Sequence, residues 1–328
     1  MNGNRINRHV AILAAVAGIV GIGAVDAAAQ SYPTKAVVMV VPFSPGGTAD
    51  VVARLLAQEM KGELKQSFVV ENKAGATGAI AATYVAKSAP DGYRLLVGTA
   101  SVNTVNPAYK KDVGFDPLRD FAPVVLFANF PNMLVVNPSV PAKTVPELIA
   151  VLKANPNKYN FGSSGVGSSL HLSAELFKLL SGTKMTHIPY KGSAPALNDL
   201  LAGRIQMTFD NMTTVWPLVQ QGRLRALGVT TKARVPQAPD VPSISETLPE
   251  YDAASWVGLL APAKTPKAIV DTLAGAVDRA LKKPDISKKL VDLGAAVGGG
   301  TPAEFAAFVK ADLARWQDVV RKAGVGGK

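Results

Sequence analysis

Residues 37–50 read VVMVVPFSPGGTAD, and residues 159–171 read YNFGSSGVGSSLH. Each stretch passes from an apolar strand into a loop of serine and glycine and then into a helix. Such a turn leaves the first backbone N–H groups of the helix without intrahelical partners, beside the positive end of the helix dipole. Each loop is therefore a candidate anion site. Two such loops in separate parts of the chain predict two lobes that face one shared ligand.

The elements around the two loops follow the same order: strand, Ser/Gly loop, helix, strand, glycine loop, helix, glycine turn and strand. The predicted strands are residues 37–41, 67–70, 94–98, 159–161, 185–189 and 204–209. The predicted helices are residues 49–60, 168–180 and 194–201, with a further helix that opens from the glycine-bearing stretch 72–78 and runs to about residue 88. No residue-level repeat accompanies this order. It favours two similar α/β lobes, with ligand groups outside the carboxyl ends of their strands.

Two proline-rich segments, residues 127–144 and 236–266, lie after the first and second units. Each contains a short apolar stretch, predicted as a strand at 133–136 and at 256–260. We interpret these strands as two crossings between the lobes, so the first lobe is completed by C-terminal residues. The predicted division is a signal peptide at 1–29, lobe 1 at 30–128 plus 255–328, and lobe 2 at 129–254.

Local patterns mark several helix starts. Thr144 with Glu147, and Thr301 with Glu304, fit capping boxes, and Pro266 is expected at a first helical position. The C-terminal helix carries an apolar face, which we predict to be core packing. Its residues are Phe305, Phe308, Val309, Leu313, Trp316 and Val320.

The first 29 residues resemble a secretory signal rather than an element of the fold. Arg5 and Arg8 precede the apolar run 10–25, and small residues end at Ala29, after which we expect cleavage. An uncleaved anchor is the alternative, but the run is shorter than the ~20 residues of a spanning helix. We therefore expect an exported, soluble protein in a bacterial periplasm.

The composition excludes several classes of function. Cleavage leaves roughly 300 residues, enough for two lobes. The chain has no cysteine, so thiolate chemistry and disulfides are absent. Its formal net charge is +11, but no run of five or six basic residues marks a nucleic-acid arm. A diffuse positive field attracts small anions, although a basic surface alone also explains the charge.

The first loop offers neutral donors. Gly46 and Gly47 permit close backbone approach to a ligand, and Ser44 and Thr48 carry hydroxyls. The alternative is a tight turn with Thr48 as a helix cap. Phe43 fits a pocket wall or the core, and Asp50 fits a ligand contact or the usual capping role of a first-turn carboxylate.

The second loop offers four serine hydroxyls and several backbone donors at one helix start. Gly165 and Gly167 resemble the opening of a dinucleotide fingerprint, but Leu170 stands where the third glycine belongs. No GxSxG elbow is present, and no GKS or GKT follows the glycines. The α/β-hydrolase and P-loop interpretations therefore lack their defining residues.

His171 lies three residues after Ser168 and four before Glu175, so the three could share a helix face. One turn of one helix seldom provides the geometry of a nucleophile, base and orienter. A structural or pocket histidine is the preferred interpretation. The only other histidine of the mature chain is His187, and neither has a ligand cluster around it, so we expect no metal site.

Lys191 and Asp210 lie where the switch-point loops of the second lobe are predicted. Lys191 could pair with an anion, or it could simply be solvated. Asp210 could accept from a ligand amine or hydroxyl, or it could cap the end of its strand.

Six motifs closely resemble the Bug family, also called TctC-type receptors, the solute-binding components of tripartite tricarboxylate transporters. The resemblance runs over essentially the whole mature chain. The motifs are PFSPGGTAD, VVENKAGATGAIAA, DGYRLLVGTAS, FGSSGVGSSLHLSAELF, HIPYKGSAPALNDLLAGRIQMTFDN and WVGLLAPAKTP.

The resemblance implies a type II periplasmic binding protein: an α/β fold of two lobes joined by two crossing strands, with a ligand cleft between them. It implies no cofactor and a carboxylate held by loops of both lobes. Matching positions on the first wall are Ser44, Gly46, Gly47 and the strand end from Thr99 to Ser101, to which the reading of the loop itself adds Phe43 and Asp50. Matching positions on the second wall are Ser163, Ser164, Gly167, Ser168, Ser169 and His171, with Lys191, Gly192 and Asp210 near the variable part of the ligand.

The expected function is capture of a small organic acid by a monomeric receptor that delivers it to the membrane subunits of a tripartite tricarboxylate transporter. We expect no enzymatic activity and no nucleic-acid partner. A periplasmic sensor for a signalling membrane protein is one alternative. An exported hydrolase that uses Ser168 and His171 is the other.

Overall fold

A computed structural model describes residues 32–324 and residue 326. The predicted signal peptide lies outside the described residues. The strands are β1 (Val37–Val41), β2 (Phe68–Asn72), β3 (Arg94–Thr99), β4 (Phe121–Val136), β5 (Asn160–Ser163), β6 (Thr186–Pro189), β7 (Met207–Asn211), β8 (Arg225–Val229), β9 (Ala254–Pro262) and β10 (Ala296–Gly299).

The helices alternate with these strands through most of the described chain. They are α1 (Thr48–Leu64), α2 (Ala79–Ala86), α3 (Asn106–Tyr109), α4 (Val145–Ala154), α5 (Ser169–Ser181), α6 (Ser193–Leu201), α7 (Met212–Gln220), α8 (Lys267–Leu281), α9 (Pro284–Asp292) and α10 (Pro302–Ala323). Short helical turns lie at Ala76–Gly78, Ser101–Val105 and Ile244–Glu246.

The strand order shows two parallel units joined through antiparallel strands. The main path is β2-β1-β3-β9-β4-β7-β5-β6, and β8 and β10 also pair with β4. β1 runs parallel to β2 and β3, and β5 runs parallel to β6 and β7. In both units the first strand lies in the middle, so its C-terminal loop opens at the centre of the carboxyl edge. This confirms the prediction that the two units share the same order of strand, Ser/Gly loop and helix.

β4 and β9 connect the two units. Residues 121–131 of β4 pair with β9, and residues 132–136 pair with β7 and β8. The sequence predicted a strand only at 133–136. The longer strand contains Pro123 and Pro131, which cannot donate to a ladder, and the register with β9 shifts after Pro123. Because proline within an apolar run argues against a strand, the sequence pattern did not indicate one continuous strand over residues 121–136.

The C-terminal helix packs as predicted. Phe305, Val309 and Trp316 on α10 are buried. A buried carboxylate, Asp312, accepts hydrogen bonds from Thr104 Oγ1 at 2.6 Å and from Trp256 Nε1 at 2.8 Å. These bonds attach the end of the chain to the turn after β3 and to the crossing strand β9.

The capping predictions have three different outcomes. Thr301 and Glu304 form the full reciprocal capping box. The Thr144 side chain accepts from the Glu147 N–H, but the Glu147 carboxylate accepts from the Lys143 N–H instead of closing the box. The prediction for Pro266 was wrong by one position, since it is the N-cap and α8 begins at Lys267.

Candidate functional site

The first Ser/Gly loop connects β1 to α1, and the carboxylate of Asp50 stabilises its conformation. Gly46 has φ +85°, a conformation that favours glycine, and Gly47 is the N-cap without a side-chain bond. The Gly46 N–H donates to Asp50 Oδ2 at 2.9 Å, and Asp50 also pairs with Arg54 at 2.9 Å. Burial raises the pKa of Asp50, but hydrogen bonds from Arg54, Gly46 and Asn72 outweigh it and lower the pKa overall. Asp50 therefore holds the loop as a charged group.

The second Ser/Gly loop connects β5 to α5 and is held by a serine hydroxyl and a histidine ring. The Ser168 Oγ caps the helix by accepting from the His171 N–H at 3.2 Å. The Gly167 N–H donates to His171 Nδ1 at 3.1 Å. Gly165 and Gly167 have φ +131° and +76°, so the loop requires glycine at both positions.

Three stacked rings support this second loop from behind. His187 lies 4.8 Å from Phe161 and 4.1 Å from His171, measured between ring centroids. Its Nε2 lies 2.6 Å from Ser163 Oγ. Burial, followed by the charge of His171, lowers the pKa of His187 to about 3, so the ring is neutral near pH 7.

A small cavity lies between the two loops, with a volume of about 40 Å³. Helices α1 and α5 both begin at its wall, so two positive helix ends face the same space. Its lining residues are Phe43, Gly47, Thr48, Ala49, Asp50, Thr99, Ser101, Ser164, Ser169, Leu170, Ser193, Asn211, Ser255 and Val257. Among the described residues, Asp50 is the only charged residue in this lining, and it pairs with Arg54.

The structure brings seven of the predicted site residues to this cavity. They are Phe43, Gly47, Asp50, Thr99, Ser101, Ser164 and Ser169. The other predicted residues do not line it: Ser44, Gly46, Ser163, Gly167, Ser168, His171, Lys191, Gly192 and Asp210. Gly46, Ser163, Ser168 and His171 instead fix the shapes of the two loops.

Four polar residues of the cavity wall were absent from the predicted site: Thr48, Ser193, Asn211 and Ser255. Ser193 begins α6 and Asn211 caps α7, so both lie at helix starts that the same search for helix N-termini could have found. Ser255 lies on β9, and no local pattern marks it. The sequence indicates Thr48 as a hydroxyl donor or a helix cap. Its Oγ1 is buried and has no hydrogen-bond partner among the described residues.

Asp210 lies directly behind this wall. Its Oδ1 accepts from Ser193 Oγ at 3.0 Å and from the Asn211 N–H at 2.7 Å, while its Oδ2 has no partner in the described part of the chain. Burial raises the pKa of Asp210 to about 6, although the bonds from Asn211, Ser193 and Thr214 oppose the rise. The residue orients two groups that do line the cavity.

Direct contacts hold the two walls together. The Ser169 N–H donates to Ser101 Oγ at 2.9 Å, and Thr77 Oγ1 donates to the Val166 carbonyl at 2.6 Å. Ser44 Oγ donates to the Lys191 carbonyl at 3.2 Å. The cleft is therefore closed in this structure.

The model of the tripartite tricarboxylate transporter family receptor, TctC, matches residues 52–325. The chain belongs to this family. BugT of Bordetella pertussis is 36% identical over 326 residues, which is 99% of each chain. The Rpa4515 structure of R. palustris with adipate has a TM-score of 0.88 at 42% identity, covering 90% of this chain and 99% of that one.

Two further structures agree with this assignment. The periplasmic binding protein BugD has a TM-score of 0.87 at 35% identity, covering 90% of this chain and all of that one. MatC from Rhodopseudomonas palustris, with bound malate, has a TM-score of 0.85 at 35% identity and covers 88% of this chain. The predicted fold is confirmed: this TctC-family chain has the two-lobed periplasmic binding protein architecture with two crossing strands.

The Ser168, His171 and Glu175 arrangement of this TctC-family chain does not match a catalytic triad. Ser168 Oγ accepts from the backbone N–H of His171, and His171 Nδ1 accepts from Gly167. His171 Nε2 faces Glu175 at 3.6 Å. Both ring nitrogens therefore face groups other than the serine hydroxyl, and Ser168 is fully buried.

Within residues 32–324 and 326, no helix is long and apolar enough to cross a membrane. No group of three or more His, Cys, Asp or Glu side chains in the same residues could hold a metal ion.

Proposed function

We propose that this chain captures a small organic carboxylate between its two lobes and delivers it, as an exported monomer, to the membrane subunits of a tripartite tricarboxylate transporter. The cavity carries the proposal: two helix N-termini and several neutral hydroxyls face one buried space whose one acidic group, Asp50, is balanced by Arg54. Such donors form charge-assisted hydrogen bonds to a carboxylate without placing a buried cation beside it.

The adipate and malate of two related structures support this ligand class. The site also allows the bound carboxylate to be released. A carboxylate held by hydroxyls and backbone donors is compatible with micromolar affinity, which corresponds to about −8 kcal/mol. The lobe division proposed for this cycle is 30–128 plus 255–328 against 129–254, with β4 and β9 as the connections. Higher affinity of the ligand for the closed state drives closure.

The first experiment is a thermal-shift panel of organic acids, each compared with its uncharged amide. A matching acid at ~100 times its dissociation constant raises the free energy of unfolding by about 2.7 kcal/mol. The corresponding amide gives no such shift. If only uncharged solutes stabilise the protein, the carboxylate proposal is wrong.

Two isosteric variants connect this binding to the cavity. Thr48→Val removes the hydroxyl whose Oγ1 is buried without a partner at the cavity wall, and we expect affinity for the acid to fall about fivefold to tenfold. Thr265→Val is the matched control, because Thr265 Oγ1 is also buried without a partner among the described residues but lies away from the cavity. Equal effects of the two variants would exclude this cavity as the site.

Delivery requires a separate measurement. Membrane vesicles that contain the two integral subunits should accumulate the radiolabelled acid only when the loaded receptor is added. Uptake that does not depend on the receptor contradicts this part of the proposal and leaves the binding result intact.

A further inference from the structure

The turn between β2 and α2 has an unusual backbone conformation. Its four residues Gly75, Ala76, Thr77 and Gly78 all have positive φ, at +133°, +47°, +54° and +86°. The Gly78 N–H donates to the Gly75 carbonyl at 2.9 Å, which makes the two residues between them the centre of a β-turn. Turns with positive φ at both central positions ordinarily carry glycine, asparagine or aspartate there. This chain has alanine and a β-branched threonine instead, so the centre of the turn is strained.

The flanking glycines fix the ends of the turn against the first unit. A Cβ at Gly78 would lie 2.4 Å from Val102 Cγ2 and 2.9 Å from Pro42 Cβ. A Cβ at Gly75 would lie 2.6 Å from Ile80 Cδ1. The glycines adopt positive φ without strain, because they have no side chain. The strain of the turn therefore lies at its two central residues.

The centre of the turn contacts the opposite unit. Thr77 Oγ1 donates to the Val166 carbonyl at 2.6 Å. Val166 lies in the second Ser/Gly loop, and a Cβ at the neighbouring Gly165 would lie 2.8 Å from the same threonine oxygen. The Val166 side chain is 37% exposed, so the contact does not bury it. At this point the two units are joined by a hydrogen bond to the backbone rather than by apolar packing.

This bond differs from the two other hydrogen bonds that cross the cleft near the cavity. Ser101 and Ser169 line the cavity, so the bond between them belongs to the binding site itself. Ser44, which donates to the Lys191 carbonyl, does not have positive φ. Thr77 has a strained backbone and does not line the cavity. It can therefore change the free energy of closure without touching a carboxylate bound there.

We propose that the Gly75–Gly78 turn is a strained latch that sets the affinity and the lifetime of the closed state, with Thr77 as its positioning residue. Closure brings the Val166 carbonyl to Thr77, and the bond between them holds the two central residues at positive φ. When the cleft opens, this bond is lost and the turn relaxes. The bond favours closure and the strain favours opening, so a bound acid is held but remains releasable. This rests on the proposed function, because binding of the acid drives closure.

Three variants separate the strain from the bond. Ala76→Gly removes the strain at one central position and keeps the Thr77 hydroxyl, so binding should become about threefold tighter through slower dissociation. Thr77→Val keeps the branched shape and removes the hydroxyl, so binding should weaken about threefold to tenfold through faster dissociation. Thr77→Ser keeps the hydroxyl without the branch and should bind at least as tightly as wild type.

The measurements are calorimetry for affinity and stopped-flow displacement for the dissociation rate, with thermal unfolding of each ligand-free variant to establish that it is folded. The probe is adipate or, if wild type does not bind adipate, the acid with the largest shift in the thermal-shift panel. Lys65→Gly is the matched control for strain. Lys65 is exposed, has φ +55° and follows the C-terminal end of α1, whereas the cavity lies at the other end of this helix. This variant should not change affinity.

The outcomes distinguish the latch from a merely structural turn. If the turn is strained equally in the open and closed states, Ala76→Gly raises the unfolding temperature and leaves affinity and dissociation unchanged, which overturns the proposal. Equal dissociation rates for Thr77→Val and wild type also overturn it. In both cases wild type still binds the acid, so the proposed function stands. If wild type binds no acid of the panel, the proposed function itself fails.

Discussion

The two Ser/Gly loops are alike in sequence but are held by different chemistry. In the first loop, the charged carboxylate of Asp50 accepts from the Gly46 N–H and pairs with Arg54. In the second, the Ser168 hydroxyl and the His171 ring accept from backbone N–H groups. In each loop a glycine N–H is hydrogen-bonded to a side chain of the following helix, which fixes the conformation of the loop. The first turn of each helix then faces the cavity. Similar binding surfaces can therefore rest on supports with different sensitivity to pH and mutation.

The largest expected effect comes from the second loop, where Gly165 meets the opposite wall. A Cβ at Gly165 would lie 2.8 Å from Thr77 Oγ1, and the φ of +131° is unfavourable for alanine. We expect Gly165→Ala to weaken ligand binding more than tenfold, measured by calorimetry, because both the loop and the closed contact are disturbed.

The control for this variant is Gly182→Ala at the other end of the same helix. Gly182 also has positive φ, at +65°, but a Cβ there meets nothing within 4 Å. We expect a loss of about 1 kcal/mol in the free energy of unfolding and less than a twofold change in affinity. If Gly182→Ala weakened ligand binding as much as Gly165→Ala does, backbone strain alone, rather than the closed contact, would explain the loss of affinity.

The first loop should lose stability when its carboxylate is removed. Asp50→Ala removes the acceptor of the Gly46 N–H and the partner of Arg54, and we expect a loss of about 1–3 kcal/mol in urea unfolding. Asp271→Ala is the control, because the Lys267 and Asp271 pair is exposed and should contribute less than ~1 kcal/mol.

The same variant has a pH signature. The pKa of Asp50 is lowered in the folded protein, so its contribution is complete above the unfolded value near 4 and is lost as pH falls further. The stability difference between wild type and Asp50→Ala should therefore shrink below about pH 4. A difference that is constant down to pH 2 contradicts the charged role.

The second loop should respond at higher pH. The folded pKa of His187 is about 3, below its ordinary value of 6.5, so the unfolded chain binds one more proton between these values. Stability is complete above pH 6.5 and decreases as pH falls. His187→Phe keeps the stack and should reduce the slope of unfolding free energy against pH by up to about one proton. His187→Phe and wild type with parallel pH profiles would rule out this titration.

The smallest expected effect comes from giving the first loop a serine N-cap like that of the second loop. Gly47 is an N-cap without a side chain, and a Cβ there meets nothing closer than the Ser44 carbonyl at 3.9 Å. Gly47→Ser should raise the free energy of unfolding by a few tenths of a kcal/mol, about the difference between glycine and serine caps. A measurable loss of stability would show that the loop cannot accept the cap of the second loop.

Predictions from sequence succeeded where the cause is local. The glycines at 46, 165 and 167 indicated turns, and each has positive φ. The serine before α5 indicated a cap, and Ser168 caps the helix. The helices and strands of both units begin and end near the predicted residues, because apolar periodicity and capping act within a few positions.

Predictions were incomplete where distant segments decide the outcome. Ser255 reaches the cavity because β9 crosses between the units, which no pattern within β9 reveals. His171 stays a predicted residue of the ligand wall, but its stack with His187, sixteen positions later, is a tertiary contact that no local pattern reveals.

The sequence by itself determined the two strand–loop–helix units, the donor-rich loops and the family, because these depend on residue order over short distances. Only the tertiary structure decided which donors face the cavity and which hold the loops. A hydroxyl or imidazole can do either, and the choice depends on the partners that the crossing strands and opposite loops bring within hydrogen-bonding distance.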